Sequence, residues 1–217
     1  MKYQNDYVLD RLQSLSMDNL VLKYNERSCD TFLGKVILSD DDINNVEQET
    51  REQHKSRIWY ELRYGRVTAS RAYEFSRCKT SDCTLMAVIM GGKIPDTPGM
   101  KHGRILEDNV KKTVSAKLGK KIIICGLMLS KNYPILAGSP GGICEDSIIE
   151  IKCPMSEKTV KNYVYNGKPT QKFYVQMQLQ MLLTGLKKGY FCVADCNYSV
   201  NKKVDIMNIM YDQKYVS

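Results

Sequence analysis

No apolar stretch in this chain approaches the ~20 residues that a membrane-spanning helix needs. The longest, Ile122 to Leu129, is interrupted by Cys125 and Gly126 and has the size of a strand. The opening residues, MKYQND, carry no apolar signal core. The expectation is therefore an intracellular protein, cytoplasmic or nuclear, not secreted and without a membrane partner. Histidine is also scarce, with His54 and His102 the only imidazoles. The eight cysteines include no C-x-x-C pair, and the spacings Cys78-x4-Cys83 and Cys192-x3-Cys196 match no common zinc pattern. Several cysteines lie in apolar, strand-like runs, where a thiol acts as a small hydrophobe. They read as reduced, which fits a reducing compartment. Internal repeats and low-complexity tracts are lacking as well.

What is present suits an ordinary globular chain. Its 217 residues, 43% hydrophobic and 26% charged, can form one domain or one domain plus an arm. The net charge of +8 and a pI of about 9.0 are compatible with a polyanionic partner, because Lys and Arg at phosphates release counterions. Charge alone does not decide it, since lysine-rich faces are often only solvated.

Residues 1–50 are mixed and polar, with Leu9, Leu12, Leu15 and Leu20 marking one short helix, and read as an arm or capping helices. Ile58, Trp59, Leu62 and Val67 predict a helix ending near Gly65, with a second beginning near Ser70. From Met100 to Leu118, the spacing of Ile105, Val110 and Val114 predicts a helix stopped by Gly119. Strands are predicted over Lys121 to Leu129, Ile135 to Gly138 and Ser147 to Lys152. Pro154 ends the third. Lys172 to Leu186 is helical by its stripe of Val175, Leu179, Leu182 and Leu183, and Lys188 to Ala194 and Val204 to Met210 close as strands. This order predicts a mixed α/β layer architecture.

Glu150 and Lys152, two apart on a strand, share a face. A carboxylate beside an ammonium there suits a hydrolytic metal site: the carboxylate holds a hard cation, and the ammonium positions a water whose pKa the cation lowers. Alone, such a pair is more often a solvated ion pair. Its company is Glu107 on a helix after Gly103, Gln176 and Gln178 as polar residues inside an apolar helix, and Arg63, Arg66 and Ser70 near a helix start where phosphate is favoured.

In order along the chain stand WYELRYGRVTAS (59–70), GRILE (103–107), GSPGG (138–142), EIKCP (150–154), YVQMQ (174–178) and TG (184–185). Together they resemble the YqaJ viral recombinase family, lambda-exonuclease-like members of the PD-(D/E)XK nucleases, from about Ile58 to Tyr215. The resemblance implies a restriction-endonuclease-like core over 51–217, with a central mixed sheet flanked by helices. It implies digestion of one strand of duplex DNA from the 5′ end with two magnesium ions, and a single-strand annealing protein as a partner class. Carried over by position, Glu107, Glu150 and the backbone carbonyl of Ile151 would be metal ligands. Lys152 would orient the attacking water, with Gln176 supporting the site. Arg63 and Ser70 would hold a DNA 5′-phosphate, with Ser139 in the same neighbourhood. Trp59 reads as core.

The chain departs from the family at two places. The family pattern after Ser-Pro is Asp-Gly, whereas this chain has Gly141-Gly142, so a carboxylate shared by the metals is replaced by hydrogen. Asp146 would share the Glu150 face only on an unbulged strand, and would then lie too far away to share an ion. The sequence also stops at Ser217, where the resemblance implies a further helix. Gly141 leaves three readings: an inactive copy that still binds DNA ends, a mutated mobile-element gene, or a weakly active nuclease. A protein-interaction domain with no nucleic-acid role is the rival from outside the class.

Overall fold

Serines open three of the first four helices in the computed structural model, which describes residues 2–80, 83–92 and 95–216. After α1 (Lys2–Gln13), Ser16, Ser28 and Ser39 cap α2 (Met17–Tyr24), α3 (Cys29–Lys35) and α4 (Asp40–Glu49). In each, the hydroxyl accepts from an amide in the first turn that has no helical partner. At α4, Asp42 completes a capping box with Ser39 and also accepts two 2.8 Å bonds from Arg11 of α1. Then follow α5 (Arg57–Arg63), β1 (Val67–Thr68), α6 (Ala72–Arg77) and α7 (Thr84–Ile89).

These elements belong to a unit built from Met1–Lys93 and Cys125–Ser139. The later segment contributes β2 (Met128–Leu129) and β3 (Leu136–Gly138), giving a sheet of order β1-β3-β2. Here β1 runs parallel to β3, and β2 antiparallel. Leu12, Leu62 and Leu127 are fully buried in its core, worth roughly 1.5–3 kcal/mol each. Residues 1–50 thus share a core with later parts of the chain. The single helix expected from Leu9 to Leu20 is two, separated at Ser14–Ser16, and Leu9 is exposed.

The other unit comprises Ile94–Ile124 and Pro140–Ser217. It contains α8 (Pro98–Leu118), β4 (Gly142–Cys144), β5 (Ser147–Lys152), α9 (Glu157–Val160), the hairpin β6 (Val164–Tyr165) and β7 (Lys168–Pro169), α10 (Gln171–Thr184), β8 (Lys188–Ala194), α11 (Tyr198–Asn201), β9 (Val204–Met210) and α12 (Gln213–Val216). A mixed sheet of order β4-β5-β8-β9 is its centre, with β5 and β8 parallel and both outer pairs antiparallel. Helix α8 packs Leu106, Val110 and Val114 against Ile149, Ile151 and Cys192. Helix α10 packs Phe173, Met177 and Met181 against Ile148, Phe191 and Val193. Since successive strand residues alternate faces, the two helices cover opposite sides of the sheet.

Three sequence expectations need correction. Ile105 is 64% exposed; Val110 and Val114 face inward as read, and Leu106 takes the place expected for Ile105 in the stripe of α8. The helix predicted near Ser70 begins at Ala72, after a strand and a 3-10 turn over Ala69–Arg71. The strand predicted from Lys121 to Leu129 forms only an Ile123–Ile143 bridge and β2. Between them the backbone bonds to side chains at the end of α4 instead of to a strand: Glu47 accepts from the Gly126 amide (3.0 Å), and Thr50, the residue after the helix, from that of Leu127 (2.7 Å).

Candidate functional site

Strand β5 fixes the two residues that the sequence singled out. Glu150 is buried and Lys152 mostly so, and the Lys152 Nζ donates to Glu150 Oε1 at 2.7 Å. The ammonium also lies 4.9 Å from the Phe173 ring centre, so α10 helps to hold it. The second oxygen of Glu150 accepts from Gln180 Nε2 at 2.8 Å. Both carboxylate oxygens are thereby aimed by protein donors, which removes rotamer freedom from Glu150.

Helix α8 brings Glu107 within electrostatic reach of Glu150 and Lys152. Burial raises the Glu107 carboxyl above its ordinary value; Lys111 works against that shift and the charge of Glu150 adds to it. Lys111 stands 3.8 Å from Glu107. Ile151 packs its side chain into the α8 core, and Gln176 is buried in α10. The sequence pattern alone does not single out Gln180 or Lys111. Lys111 lies four residues beyond Glu107, an ordinary helical ion-pair spacing. Gln180 continues the run Gln176, Gln178, Gln180, all buried. Gln178 serves elsewhere, clamping the segment after β9 through the Met210 carbonyl and the Asp212 amide, both at 2.8 Å.

Position 141 is as important for what it lacks. Gly142 pairs with Ile149, so Gly141 stands across from Glu150. A Cβ built on Gly141 lies 3.1 Å from the Ile149 carbonyl oxygen, 3.6 Å from the Ile151 amide and 3.8 Å from Glu150 Cα. A side chain there requires the Ile149 carbonyl to give way by a few tenths of an ångström and starts beside the segment carrying Glu150. As the chain stands, Glu150 is paired with Lys152 and Glu107 with Lys111. Among the described residues, no three His, Cys, Asp or Glu side chains converge to hold a metal ion. The residues present therefore do not make the two-ion site that the resemblance implies.

Of the predicted phosphate residues, all in the first unit, the structure brings Arg63 and Ser139 together. Trp59 links two of them: its indole N–H donates to Ser139 Oγ at 2.9 Å, and the Arg63 guanidinium lies 3.9 Å from its ring centre. Trp59 is thus partly core, as read, and also a support for both neighbours. Burial lowers Arg63 to about 10, and the like charge of Arg71 contributes. Ser70 and Thr68 share a 3.3 Å hydroxyl contact. Arg66 does not join Arg63 and Ser139. It is 1% exposed, and its guanidinium donates to the carbonyls of Leu62, Pro134 and Leu15 at 2.7–2.9 Å. Its role is to tie backbone together.

The YqaJ-like viral recombinase domain family matches residues 58–187. Among solved structures the chain is similar to LHK-Exo, an alkaline exonuclease from Laribacter hongkongensis, at 25% identity over 74% of this chain and 85% of that one. The TM-score is 0.63, and 0.66 for the same protein in complex with dAMP. A phage-related exonuclease from Haemophilus somnus 129PT, 12% identical over 72% of this chain and 89% of that one, shares the fold at a TM-score of 0.52. No curated protein matches. No helix among the described residues is long and apolar enough to cross a membrane. The mixed α/β architecture is that of these nucleases, and the matched stretch contains every site residue named above, so this chain belongs to the YqaJ-like viral recombinase domain family.

Proposed function

We propose that this chain is an exonuclease-type domain that engages the ends of linear duplex DNA and whose hydrolytic site is disabled at Gly141. The observation that carries this reading is the Glu150 carboxylate on β5, held at one oxygen by Lys152 and at the other by Gln180 of α10, across the strand pair from a glycine where a carboxylate would stand. Arg63, Ser70 and Ser139 supply donors for a terminal phosphate, and the net charge of +8 favours the polyanion. Lys152 is the group placed to orient a water once the carboxylate set is restored. In this reading Glu107, Glu150 and the Ile151 carbonyl are the remaining donors of a magnesium site, and Gln176 and Gln180 steady it.

The test uses end-labelled linear duplex with magnesium or with chelator. Gly141→Asp is expected to digest DNA with magnesium only, and the parent to do so at least about 100-fold more slowly, the scale of losing one charged catalytic contact. Digestion by the parent at a comparable rate overturns the impairment. Failure of both proteins to digest, with DNA still bound, leaves a non-catalytic end-binding module, the reading that Gly141 itself favours as the alternative. Failure of both to bind DNA overturns the proposal.

A further inference from the structure

Two cysteines outside the hydrolytic site stand in a relation that packing alone does not explain. Cys78 is the residue following α6, and Cys83 is the residue preceding α7. Their Sγ atoms are 2.8 Å apart, within an ångström of the ~2.05 Å of a disulfide bond. Both are free thiols and both are partly exposed, whereas Cys125, Cys144, Cys153 and Cys192 are buried. The Cys78 sulfur also lies 3.2 Å from the Thr80 carbonyl, which can accept its proton.

We propose that Cys78 and Cys83 are a reversible thiol–disulfide pair, a modification site that staples the end of α6 to the start of α7. Cys83 is the attacking sulfur. Its contact with Cys78, then the backbone amides of Met86 and Leu85, hold its thiol below the ordinary value, which favours the nucleophilic thiolate form. With hydrogen peroxide as oxidant, the Cys83 thiolate forms an S–O bond as the O–O bond breaks, and the released hydroxide takes up a proton as water. The Cys78 sulfur, losing its proton, then attacks Cys83 Sγ. The S–S bond forms, the S–O bond breaks, and a second water leaves. Two thiols are oxidised and one peroxide is reduced to two waters. The buried thiols cannot follow this route: burial pushes Cys125 and Cys192 up to about 12 and Cys153 up to about 11.

The test treats the full chain with a small excess of hydrogen peroxide, alkylates the remaining thiols and maps them by mass spectrometry. Cys78 and Cys83 are expected to lose alkylation together as one linked species, restored by dithiothreitol, while the exposed Cys29 stays alkylated. Trypsin cutting after the exposed Lys79 gives an independent readout, because the two fragments remain joined until reduced. In Cys78→Ser, oxidation is expected to stop at a Cys83 sulfenic acid that dimedone traps. Equal protection of Cys29 and Cys83, intermolecular dimers in place of the internal link, or no dimedone adduct in Cys78→Ser would each overturn the proposal.

Discussion

Arg66 shows how much one side chain can hold. Three carbonyls, from the ends of α1 and α5 and from the loop before β3, depend on its guanidinium, and among the described residues no carboxylate pairs with it. Arg66→Met leaves those acceptors buried and unpaired, so a loss of about 3–5 kcal/mol is expected, since each orphaned group costs ~1–3 kcal/mol. Arg66→Lys should recover only part, because an ammonium cannot span three acceptors as a planar fork does. Thermal unfolding of both variants checks this, at ~2–4 °C per kcal/mol for a chain of this size. Parity of the methionine variant with the parent would show that Arg66 ties nothing. At the same scale, Glu150 and Lys152 could be read from sequence because strand alternation places them on one face, and Gly141 could be read against the Ser-Pro frame. Gln180 could not: it shares a face of α10 with Gln176, four residues earlier, and only packing shows that it is Gln180 whose amide reaches Glu150.

Elements in this fold are fixed as much by caps and close approaches as by apolar stripes. Asp42 both closes the α4 capping box and binds Arg11 of α1. Burial works to raise its carboxyl, but hydrogen bonds from Arg11 and Ser39 outweigh that and hold it below 3.8. A depressed carboxylate contributes stability above its unfolded pKa, and that contribution is lost as pH falls through the folded value. Asp42→Asn should therefore cost about 1–2 kcal/mol at pH 7 and converge with the parent as pH drops below the ordinary aspartate range. Denaturant melts at several pH values measure this, and a gap that persists in acid would refute it. Two glycines give a contrasting pair. A Cβ on Gly126 would lie 1.9 Å from the Glu47 carbonyl oxygen, so Gly126→Ala should cost about 3 kcal/mol or more. Gly103, inside α8 with nothing within 4 Å of its Cβ position, should gain about 0.5–1 kcal/mol on change to alanine. Equal melting temperatures for the two variants would contradict both assignments. That contact at Gly126 is also why the run from Lys121 to Leu129 misleads as a sequence: its β-branched residues suit a strand, but the ladder partners are replaced by Glu47 and Thr50, distant in the chain.

For the whole molecule, the net charge of +8 becomes a measurable quantity through salt. If Arg63 and neighbouring cations contact phosphates, the logarithm of the DNA association constant should fall linearly with the logarithm of salt concentration, by roughly 0.9 per phosphate contacted. Arg63→Ala should flatten that slope by about one contact as well as weaken binding; salt-independent binding would count against phosphate recognition. The layer order of helices and strands was legible from periodicity, while the membership of the two compact units was not. Both are assembled from separated stretches of chain, and no local pattern announces such a return. That return governs how the protein is made. A ribosome that has delivered residue 93 has exposed α1 to α7 and a lone β1, but not Leu127, Leu129 and Ala137, which complete their core, nor the Pro134 acceptor of Arg66. Until the segment ending at Ser139 emerges, the first-synthesised half of the chain is a set of capped helices waiting for its centre, and in that interval it depends most on whatever shields apolar surface in the cell.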